Sequence, residues 1–465
     1  MAIATIDPTS GATLRTFAPH DRAEVEARLA RAGAAYERHR RTTVAERAAR
    51  LRRAADLFDT EREALARIAV REMGKPIRAA RSEVEKCAEG CRWYAEHAAA
   101  FLGDEPVAAA REPSTIVYLP LGPILAVMPW NFPYWQVTRF AAPALMAGNV
   151  ALLKHASNVP QCALALEDLF GRAGFGDGGF QVLLMGGDAV ANVVADPRIA
   201  AVTLTGSEGA GAAVASAAGR HLKKIVLELG GSDPFVVMPS ADVARAAAVG
   251  VTARTLNNGQ SCIAAKRFVV HDAVYDRFVG LLVDGLAGLR VGDPADDATE
   301  LGPLATAAGR DALARQVEAS VAAGARVLLG GRSLPGPGWF YAATVLADVP
   351  SEAPVAREEV FGPVAVVWRV GDVDEAIARA NDTPYGLGAS VWTADPDERE
   401  RFVREIRAGM TFVNAMVASD PRLPFGGVKR SGWGRELAAL GLREFCNVKT
   451  IVRAPPSGGG PPPAT

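Results

Sequence analysis

Between residues 149 and 231 the sequence alternates between short apolar runs and segments with helical spacing. The apolar runs are VALLK, FQVLLMG, IAAVTLTG and IVLELGG. Strands that alternate with helices form parallel sheets through right-handed crossovers, so this region predicts a doubly wound α/β domain. Dinucleotides commonly bind at the carboxyl ends of such strands. A second alternating series starts with PFVVM, so we expect a second α/β domain with its boundary at Gly230 and Gly231.

Three other segments have distinct compositions. Residues 23–100 are rich in Ala, Arg, Glu and Leu and are interrupted near Gly74, which predicts two or three amphipathic helices. Residues 114–130, STIVYLPLGPILAVMPW, contain two β-rich runs that predict a projecting hairpin or paired strands. The Pro- and Gly-rich residues 454–465 predict a disordered tail.

The charges of the chain nearly cancel, with 51 Lys and Arg against 52 Asp and Glu. We therefore expect a small-molecule partner rather than nucleic acid or an anionic membrane. The sequence has no apolar run of the ~20 residues that a membrane span needs and no basic leader, which predicts a cytoplasmic protein. The five cysteines are few and odd in number, which favours free thiols. Cys87 and Cys91 share a helical spacing, but no further ligands accompany them, so no metal site is expected.

Two residues stand out as candidates for catalysis. Cys262 ends the polar loop NNGQSC, where an exposed thiol among amide donors suits a nucleophile, although the loop alone leaves a structural role open. Glu228 ends an apolar predicted strand, where a carboxylate is costly unless it is paired or used. It is either a general base with a raised pKa or the partner of Lys223 or Lys224 in a salt bridge.

An asparagine and a glycine-rich turn suggest further parts of a site. Asn131 lies between two prolines in PWNFP, and its side-chain NH2 could face a developing oxyanion. The alternative is an Asx turn or a cap for a helix over residues 134–147. The segment TGSEGAG, residues 205–211, joins a predicted strand to a helix and is a candidate phosphate-approach turn. Its spacing is not that of G-x-G-x-x-G, so an ordinary turn is the alternative.

Six motifs follow one another along the chain: PWNFP, TGS, LELGG, GQSC, EEVFGP and PFGG. Their order and spacing resemble the aldehyde dehydrogenase superfamily from about Asp7 to Val452. The resemblance implies an α/β fold with a Rossmann-type cofactor domain, an α/β catalytic domain and a small β oligomerisation element. The corresponding ranges are 1–113 with 128–229, 230–415, and 114–127 with 434–453. It also implies a homodimer or a homotetramer.

The resemblance assigns a role to each matching residue. Cys262 matches the nucleophile, Glu228 the general base, and Asn131 together with the Cys262 main-chain N–H the oxyanion hole. An aldehyde would then be oxidised through a thioester on Cys262, which is hydrolysed by a water that Glu228 deprotonates. The implied cofactor-binding residues are Trp130, Lys154, Ser157, Gly206, Ser207, Glu359 and Phe361.

The residue at position 157 bears on the choice of cofactor. Lys154 matches the lysine that holds the adenosine ribose, Ser207 a pyrophosphate contact and Glu359 the ligand of the nicotinamide ribose. Family members that prefer NAD often carry Glu where this chain has the small, neutral Ser157. We therefore expect NADP to be accepted and preferred, with NAD possible, and Lys154 to supply positive charge.

Two segments also resemble the short bacterial succinate-semialdehyde dehydrogenases, namely residues 257–268 and 424–436. A substrate that ends in a carboxylate predicts a cation in the pocket. Arg139, one helical turn after Trp135, is the candidate, and an ordinary helix-surface ion pair is its alternative. Ser419 matches a hydroxyl that helps to bind the carboxylate. Ser261 completes the predicted substrate-binding set.

The chain departs from some animal relatives at two positions. Leu256 replaces a second arginine, so carboxylate binding is expected to be looser or arranged differently, and Ala264 replaces a second cysteine, so no local disulfide is expected. Oxidation of glutarate semialdehyde or of an uncharged aliphatic or aromatic aldehyde is an alternative within the enzyme class. A dinucleotide-binding or structural homologue without turnover is the alternative from another class.

Overall fold

The computed structural model describes residues 2–108, 110 and 112–454. The tail predicted over 454–465 lies outside the described residues from position 455 onward. The helices are α1 (Arg22–His39), α2 (Val44–Thr60), α3 (Arg62–Met73), α4 (Ile77–Phe101), α5 (Trp135–Met146), α6 (Pro160–Phe170), α7 (Val190–Ala195), α8 (Glu208–Arg220), α9 (Val243–Thr255), α10 (Asp272–Ala287), α11 (Ala307–Ala322), α12 (Pro354–Arg357), α13 (Val373–Asn381), α14 (Pro396–Glu405) and α15 (Ala438–Arg443). The strands are β1 (Ile3–Ile6), β2 (Thr13–Phe17), β3 (Glu105–Pro106), β4 (Ser114–Pro120), β5 (Pro123–Met128), β6 (Val150–His155), β7 (Phe180–Val182), β8 (Ala201–Thr205), β9 (Lys224–Glu228), β10 (Asp233–Val237), β11 (Ala265–His271), β12 (Arg326–Leu329), β13 (Thr344–Ala347), β14 (Val364–Val370), β15 (Gly388–Trp392), β16 (Met410–Val413), β17 (Gly432–Trp433) and β18 (Cys446–Val452).

The helical region before the sheets contains α1 to α4 instead of the two or three helices expected. Besides the break at Gly74, one boundary lies before α2, where Thr43 and Glu46 form a capping box that starts a new helix, and another lies at Glu61 between α2 and α3. The predicted break at Gly74 is present, because this glycine has a left-handed φ of 71° and ends α3. α4 is the longest of these helices, and its buried face packs against α2 and α5.

The first large sheet has six strands in the order β17-β9-β8-β5-β6-β7. All neighbouring pairs are parallel except β17 with β9. Helices α2, α4, α5 and α6 cover one face with apolar side chains, while α1, α7 and α8 contribute to the core on the other face. The doubly wound α/β arrangement predicted from the alternating pattern is therefore confirmed.

The two β-rich runs at 114–130 do not pair with each other, so the hairpin prediction is wrong. β4 pairs with β18 and β3, whereas β5 lies between β6 and β8 in the six-stranded sheet. The side chain of Asn149 explains the separation, because its Oδ1 accepts hydrogen bonds from the main-chain N–H groups of Leu121 and Gly122, at 2.8 and 3.0 Å. These bonds occupy the backbone donors that a tight hairpin would need.

The second large sheet has seven strands in the order β12-β13-β14-β11-β10-β15-β16, and only β12 runs antiparallel to its neighbour. It starts after Gly230 and Gly231, since β9 ends at Glu228 and β10 begins at Asp233. Helices α9 and α10 pack on one face, and α13 and α14 pack on the other. The carboxyl end of β9 and the loop that precedes β11 supply Glu228 and Cys262.

Two small sheets complete the fold: β1 pairs with β2, and β4 lies between β18 and β3. The three-stranded sheet is the one that the resemblance implies as an oligomerisation element. In the three-stranded sheet, β18 has exposed apolar side chains, with Val448 and Val452 each 57% exposed. Among the described helices, we find none whose length and apolarity would let it cross a bilayer.

Candidate active site

Two cavities meet at Cys262, whose side chain lines both of them. The first, here called the α5 cavity, has a volume of about 360 Å³ and is lined by all four predicted substrate residues, Trp135, Arg139, Ser261 and Ser419. The second, the α8 cavity, has a volume of about 310 Å³. Predicted residues that line it are Trp130, Asn131, Gly206, Ser207, Glu359 and Phe361. A group bound in either cavity therefore reaches the same sulfur atom.

The loop that carries Cys262 has an unusual backbone held by side-chain amides. Asn257, Asn258 and Gly259 all have positive φ, at 56°, 58° and 75°. Asn257 Nδ2 donates to the carbonyl of Asn131 at 2.7 Å, and Asn258 Nδ2 donates to the carbonyl of Gly74 at 2.9 Å. Because asparagine and glycine tolerate the left-handed region, this sequence can form the sharp turn that brings the thiol to the cavities.

The electrostatic surroundings of Cys262 keep its thiol protonated at neutral pH. Burial raises the pKa of Cys262 to about 12, while the positive charges of Arg139 and Lys266 act in the opposite direction. The carboxylates of Glu359 and Glu228 raise the pKa further. Since the thiolate is the nucleophile, the site needs a group that accepts the thiol proton.

Asn131 directs its side chain toward the catalytic loop and does not cap a helix. Its Nδ2 donates to the carbonyl of Gln260 at 3.1 Å. The N-cap of α5 is Tyr134, without a side-chain cap, and Glu83 accepts the N–H groups of Tyr134 and Trp135 at 2.8 and 2.9 Å. The cap alternative for Asn131 is therefore wrong. Across the described residues, the main-chain N–H of Cys262 has no acceptor, so it is free to face an oxyanion.

Glu228 is a buried carboxyl group without hydrogen bonds to its two side-chain oxygens in the described part of the chain. Burial and the neighbouring Glu436 raise its pKa well above the ordinary value, and Arg139 partly opposes them. Lys224 pairs instead with Glu444, so the predicted salt-bridge alternative is wrong.

The other candidate partner of Glu228, Lys223, donates instead to the carbonyl of Asp196.

Glu228 lines neither cavity, but Gly206 of the α8 cavity donates its N–H to the Glu228 main-chain oxygen at 3.0 Å. A buried carboxylate with a raised pKa and free oxygens is a stronger proton acceptor than an ordinary carboxylate.

The alternative interpretation of Arg139 as part of an ion pair on the helix surface is wrong, because the residue is buried. Its side chain is only 3% exposed, forms an ion pair with the buried Glu436 and lies over the ring of Phe425 at 4.4 Å. The arginine thus reaches the α5 cavity with its charge already balanced by a carboxylate.

Lys86 is a cation in the α5 cavity that sequence reasoning missed. Its Nζ donates to the hydroxyl of Ser419 at 2.8 Å and to the Ser419 carbonyl at 2.6 Å, and it lies over the ring of Trp135 at 4.8 Å. Trp135 Nε1 also donates to the Ser419 hydroxyl, at 3.0 Å. Within the described residues, Lys86 has no carboxylate at ion-pair distance. The available signal was the helical spacing of Glu83, Lys86 and Gly90 on one face of α4.

The α8 cavity has features that fit a dinucleotide. Ser207 is the N-cap of α8, and the N-terminus of a helix favours anionic groups. The Glu359 carboxylate can bind hydroxyl groups, and it is fixed by the N–H of Gly231 at 3.1 Å. A Cβ at Gly230 would lie 2.5 Å from Glu359 Oε2, so a side chain there would displace the Glu359 carboxylate.

Two predicted cofactor residues, Lys154 and Ser157, lie outside the lining of this cavity. Lys154 is near the carboxyl end of β6, where burial lowers its pKa and Asp188 opposes the shift. Ser157 follows the same strand, and its carbonyl accepts the N–H of Ala4 at 3.0 Å. Both residues are therefore at the strand end where the resemblance expects the adenosine ribose.

The family model described as the aldehyde dehydrogenase family matches residues 1–451. The chain belongs to this family. This aldehyde dehydrogenase is 55% identical over 454 residues to succinate-semialdehyde dehydrogenase [NADP(+)] 1 of Mycobacterium tuberculosis, covering 97% of this chain and 99% of the relative. It is 54% identical over 473 residues to the succinate-semialdehyde dehydrogenase [NADP(+)] of Mycobacterium avium, covering 99% of both chains.

A solved structure supports the same membership. The succinic semialdehyde dehydrogenase of Streptococcus pyogenes, in complex with NADP+ as the cofactor, superposes on this aldehyde dehydrogenase with a TM-score of 0.95. The two are 38% identical, and the match covers 97% of this chain and 100% of the other. The resemblance predicted from the order of six motifs is thus confirmed.

Proposed function

We propose that this aldehyde dehydrogenase oxidises succinate semialdehyde to succinate with NADP as the hydride acceptor. The observation that carries the proposal is the α5 cavity, which is lined by both the Cys262 thiol and the Lys86–Ser419 pair. The thiol suits the aldehyde end of the substrate, and the ammonium and hydroxyl suit its carboxylate end. The names of the relatives support the same substrate and cofactor.

The carboxylate subsite combines three kinds of donor. Lys86 supplies a positive charge that no carboxylate of the described residues neutralises, and the hydroxyl of Ser419 is held beside it. Arg139 adds positive potential, although Glu436 offsets its charge. Ser261 Oγ is a buried hydroxyl without a hydrogen-bond partner in the described part of the chain, so it has a donor available for substrate.

Residues of the α8 cavity, together with Lys154 and Ser157 outside its lining, would hold NADP. Ser207 and the N-terminus of α8 would face the pyrophosphate, Glu359 the nicotinamide ribose, and Lys154 with Ser157 the phosphorylated adenosine ribose. When bound, the nicotinamide supplies an acceptor for the hydride that leaves the aldehyde carbon. The neutral Ser157 leaves the 2′-phosphate without a repelling carboxylate, which favours NADP over NAD.

Side chains and one main-chain N–H of the protein carry out the covalent steps. The Cys262 thiol first loses its proton, either to Glu228 or to solvent, and the thiolate adds to the aldehyde carbon. Asn131 Nδ2 and the Cys262 N–H stabilise the resulting oxyanion. Loss of the hydride leaves a thioester on Cys262. Glu228 then takes a proton from a water molecule as that water attacks the thioester carbonyl, and the thiolate departs as succinate is released.

The assembly and location of the protein form part of the proposal. We infer a homodimer or homotetramer that pairs through the small sheet of β3, β4 and β18, because the exposed Val448 and Val452 would lose contact with water there. We retain the predicted cytoplasmic location. The domain ranges expected from the resemblance also stay a proposal. Within residues 114–127, only β4 belongs to the proposed oligomerisation element, because β5 lies in the six-stranded sheet.

A substrate panel tests the proposed activity. We expect reduction of NADP with succinate semialdehyde at a kcat/KM about 100-fold above that for butanal, which has the same number of carbons and no carboxylate. Glutarate semialdehyde and NAD, measured in parallel, report chain length and cofactor choice. Cys262→Ser serves as the control and should abolish turnover while the circular dichroism spectrum stays unchanged.

Different failures of this panel have different meanings. Equal kcat/KM for butanal and succinate semialdehyde would overturn the substrate but leave an aldehyde dehydrogenase. No reduction of either cofactor with any aldehyde would instead support the homologue without turnover.

A further inference from the structure

Lys266 is a buried lysine whose ammonium contacts the main chain of the catalytic loop. It lies in β11, and its Nζ donates to the carbonyl oxygens of Ser261 and Cys262, each at 2.9 Å. Its third neighbour is Glu359 Oε1 at 3.4 Å. Two of the three N–H donors of the ammonium group thus bind carbonyl oxygens of the catalytic loop, and the Glu359 carboxylate forms an ion pair with it.

One of these acceptors belongs to the peptide that forms the oxyanion hole. The Ser261 carbonyl and the Cys262 N–H are the two ends of one peptide group, across which electrons are delocalised. A cation at the carbonyl oxygen draws electron density from the nitrogen and makes the N–H a stronger donor. The same hydrogen bond also fixes the plane of the peptide, and hence the direction of the N–H.

We propose that Lys266 is a positioning residue that orients and polarises the Ser261–Cys262 peptide so that its N–H stabilises the oxyanion formed at Cys262. The proposal rests on the proposed function for the identity of the oxyanion. It is supported by the bare N–H of Cys262, which has no other acceptor in the described part of the chain. Lys266 thereby acts on the reacting carbon through the backbone and not by direct contact.

The carboxylate of Glu359 explains how a buried lysine is retained there. Burial lowers the pKa of Lys266, and Glu359 opposes that shift. Glu359 also lines the α8 cavity, so the ammonium connects the proposed nicotinamide-ribose ligand to the catalytic loop.

Arg254 provides a matched control within the same loop. It is also fully buried, and its Nη2 donates to the carbonyl of Gly259 at 2.6 Å. That carbonyl shares its peptide with the N–H of Gln260, which is not the proposed oxyanion donor. If both cations only held the loop in place, removing either of them would have the same kind of effect.

Two reactions of Cys262 separate oxyanion stabilisation from thiol reactivity. Acylation by p-nitrophenyl acetate passes through a tetrahedral oxyanion and releases nitrophenolate, whereas alkylation by iodoacetamide displaces iodide without forming an oxyanion. Neither reaction needs an aldehyde or NADP, so a wrong substrate assignment leaves this test intact. The ratio of the acylation rate to the alkylation rate cancels changes in the pKa and accessibility of the thiol.

For Lys266→Met we expect this ratio to fall about 10- to 100-fold, because loss of an entire oxyanion donor costs about 10²- to 10³-fold. Lys266→Arg keeps a cation and should recover part of the ratio. Lys266→Gln keeps a neutral donor and should give a ratio between those of the wild type and Lys266→Met. The glutamine variant also provides the test if Lys266→Met does not fold. In Arg254→Met the two rates should change in parallel. An unchanged ratio in the Lys266 variants, or an equal fall in Arg254→Met, would overturn the proposal.

Discussion

The ammonium of Lys86 lies 2.8 Å from the hydroxyl of Ser419, and the indole N–H of Trp135 reaches the same hydroxyl at 3.0 Å. The ammonium and the indole therefore approach one oxygen from two neighbouring helices, α4 and α5, that pack against each other. Because Lys86 has no carboxylate partner among the described residues, its charge is available to an anionic ligand.

Replacing Lys86 by methionine should raise KM for succinate semialdehyde about 10- to 100-fold, since a hydrogen bond to a charged group contributes about 1.5–3 kcal/mol. Methionine keeps the apolar stem against Trp135, so KM for butanal should change less than about 2-fold. Initial rates with both aldehydes measure the effect. A comparable rise for butanal would show that the substitution distorts the cavity.

The carboxylate subsite should weaken as the pH rises through about 8. Burial lowers the pKa of Lys86 to about 8, the charge of Arg139 acts in the same direction, and Asp420 and Glu89 act in the opposite one. Above this pH the ammonium loses its proton, while the carboxylate of the substrate stays ionised. We therefore expect KM for succinate semialdehyde to rise above pH 8 and KM for butanal to stay constant. In Lys86→Met the difference between the two profiles should disappear.

Arg139→Ala should raise KM for succinate semialdehyde more than KM for an uncharged aldehyde, and it should also destabilise the protein. The substitution leaves Glu436 buried without its cation, which typically costs about 3–5 kcal/mol. Urea unfolding measures the loss, and Arg139→Lys is the control that keeps a charge. Equal effects on both aldehydes would remove Arg139 from the carboxylate subsite, and unchanged unfolding would contradict the importance of its ion pair.

Ser157→Glu should shift the cofactor preference from NADP toward NAD. A carboxylate at this position can bind ribose hydroxyls and repel a 2′-phosphate, so the ratio of kcat/KM for NADP to that for NAD should fall about 100-fold. Ser157→Gln has the same length without the charge and should change the ratio much less. Unchanged kinetics with NADP in Ser157→Glu would show that position 157 does not contact the phosphate.

The sequence was sufficient to predict those features that depend on the order of residues along a short segment or on the order of motifs. The alternation of strands and helices predicted a doubly wound α/β domain, and six motifs in order predicted the family. It was insufficient where one side chain decides a distant contact. Asn149 separates β4 from β5 by binding Leu121 and Gly122, and no local pattern distinguishes this from a hairpin.

The same limit applies to the lysines of the site. Lys86 meets Ser419 across 333 residues of chain, and in the sequence it is one of many charged residues on a helix. Lys266 follows Cys262 by four residues, but its ammonium returns to the loop through the turn at residues 261–264, where the Ala264 N–H donates to the Ser261 carbonyl at 3.2 Å. Arg139 was found by its helical spacing from Trp135, whereas its partner Glu436 lies in a distant segment that no spacing rule connects to α5.

Glu228→Gln should separate the two halves of the reaction. Glutamine has nearly the same shape but cannot accept a proton from water, so hydrolysis of the thioester should slow by about 10²- to 10⁴-fold. Formation of the thioester precedes that step. Mixing the variant with NADP and succinate semialdehyde should therefore produce a burst of NADPH that approaches one equivalent per active site, followed by little further turnover. Stopped-flow absorbance of the reduced nicotinamide measures both phases.

The amplitude of that burst also decides between two roles of the carboxyl. Both oxygens of Glu228 are without hydrogen bonds in the described residues, so either the thiol of Cys262 or the attacking water can be its proton donor. A full burst assigns Glu228 to hydrolysis alone. If the burst is lost and returns at high pH, where the Cys262 thiol ionises without help, Glu228 also removes the thiol proton. If the variant turns over at the wild-type rate, another group is the base.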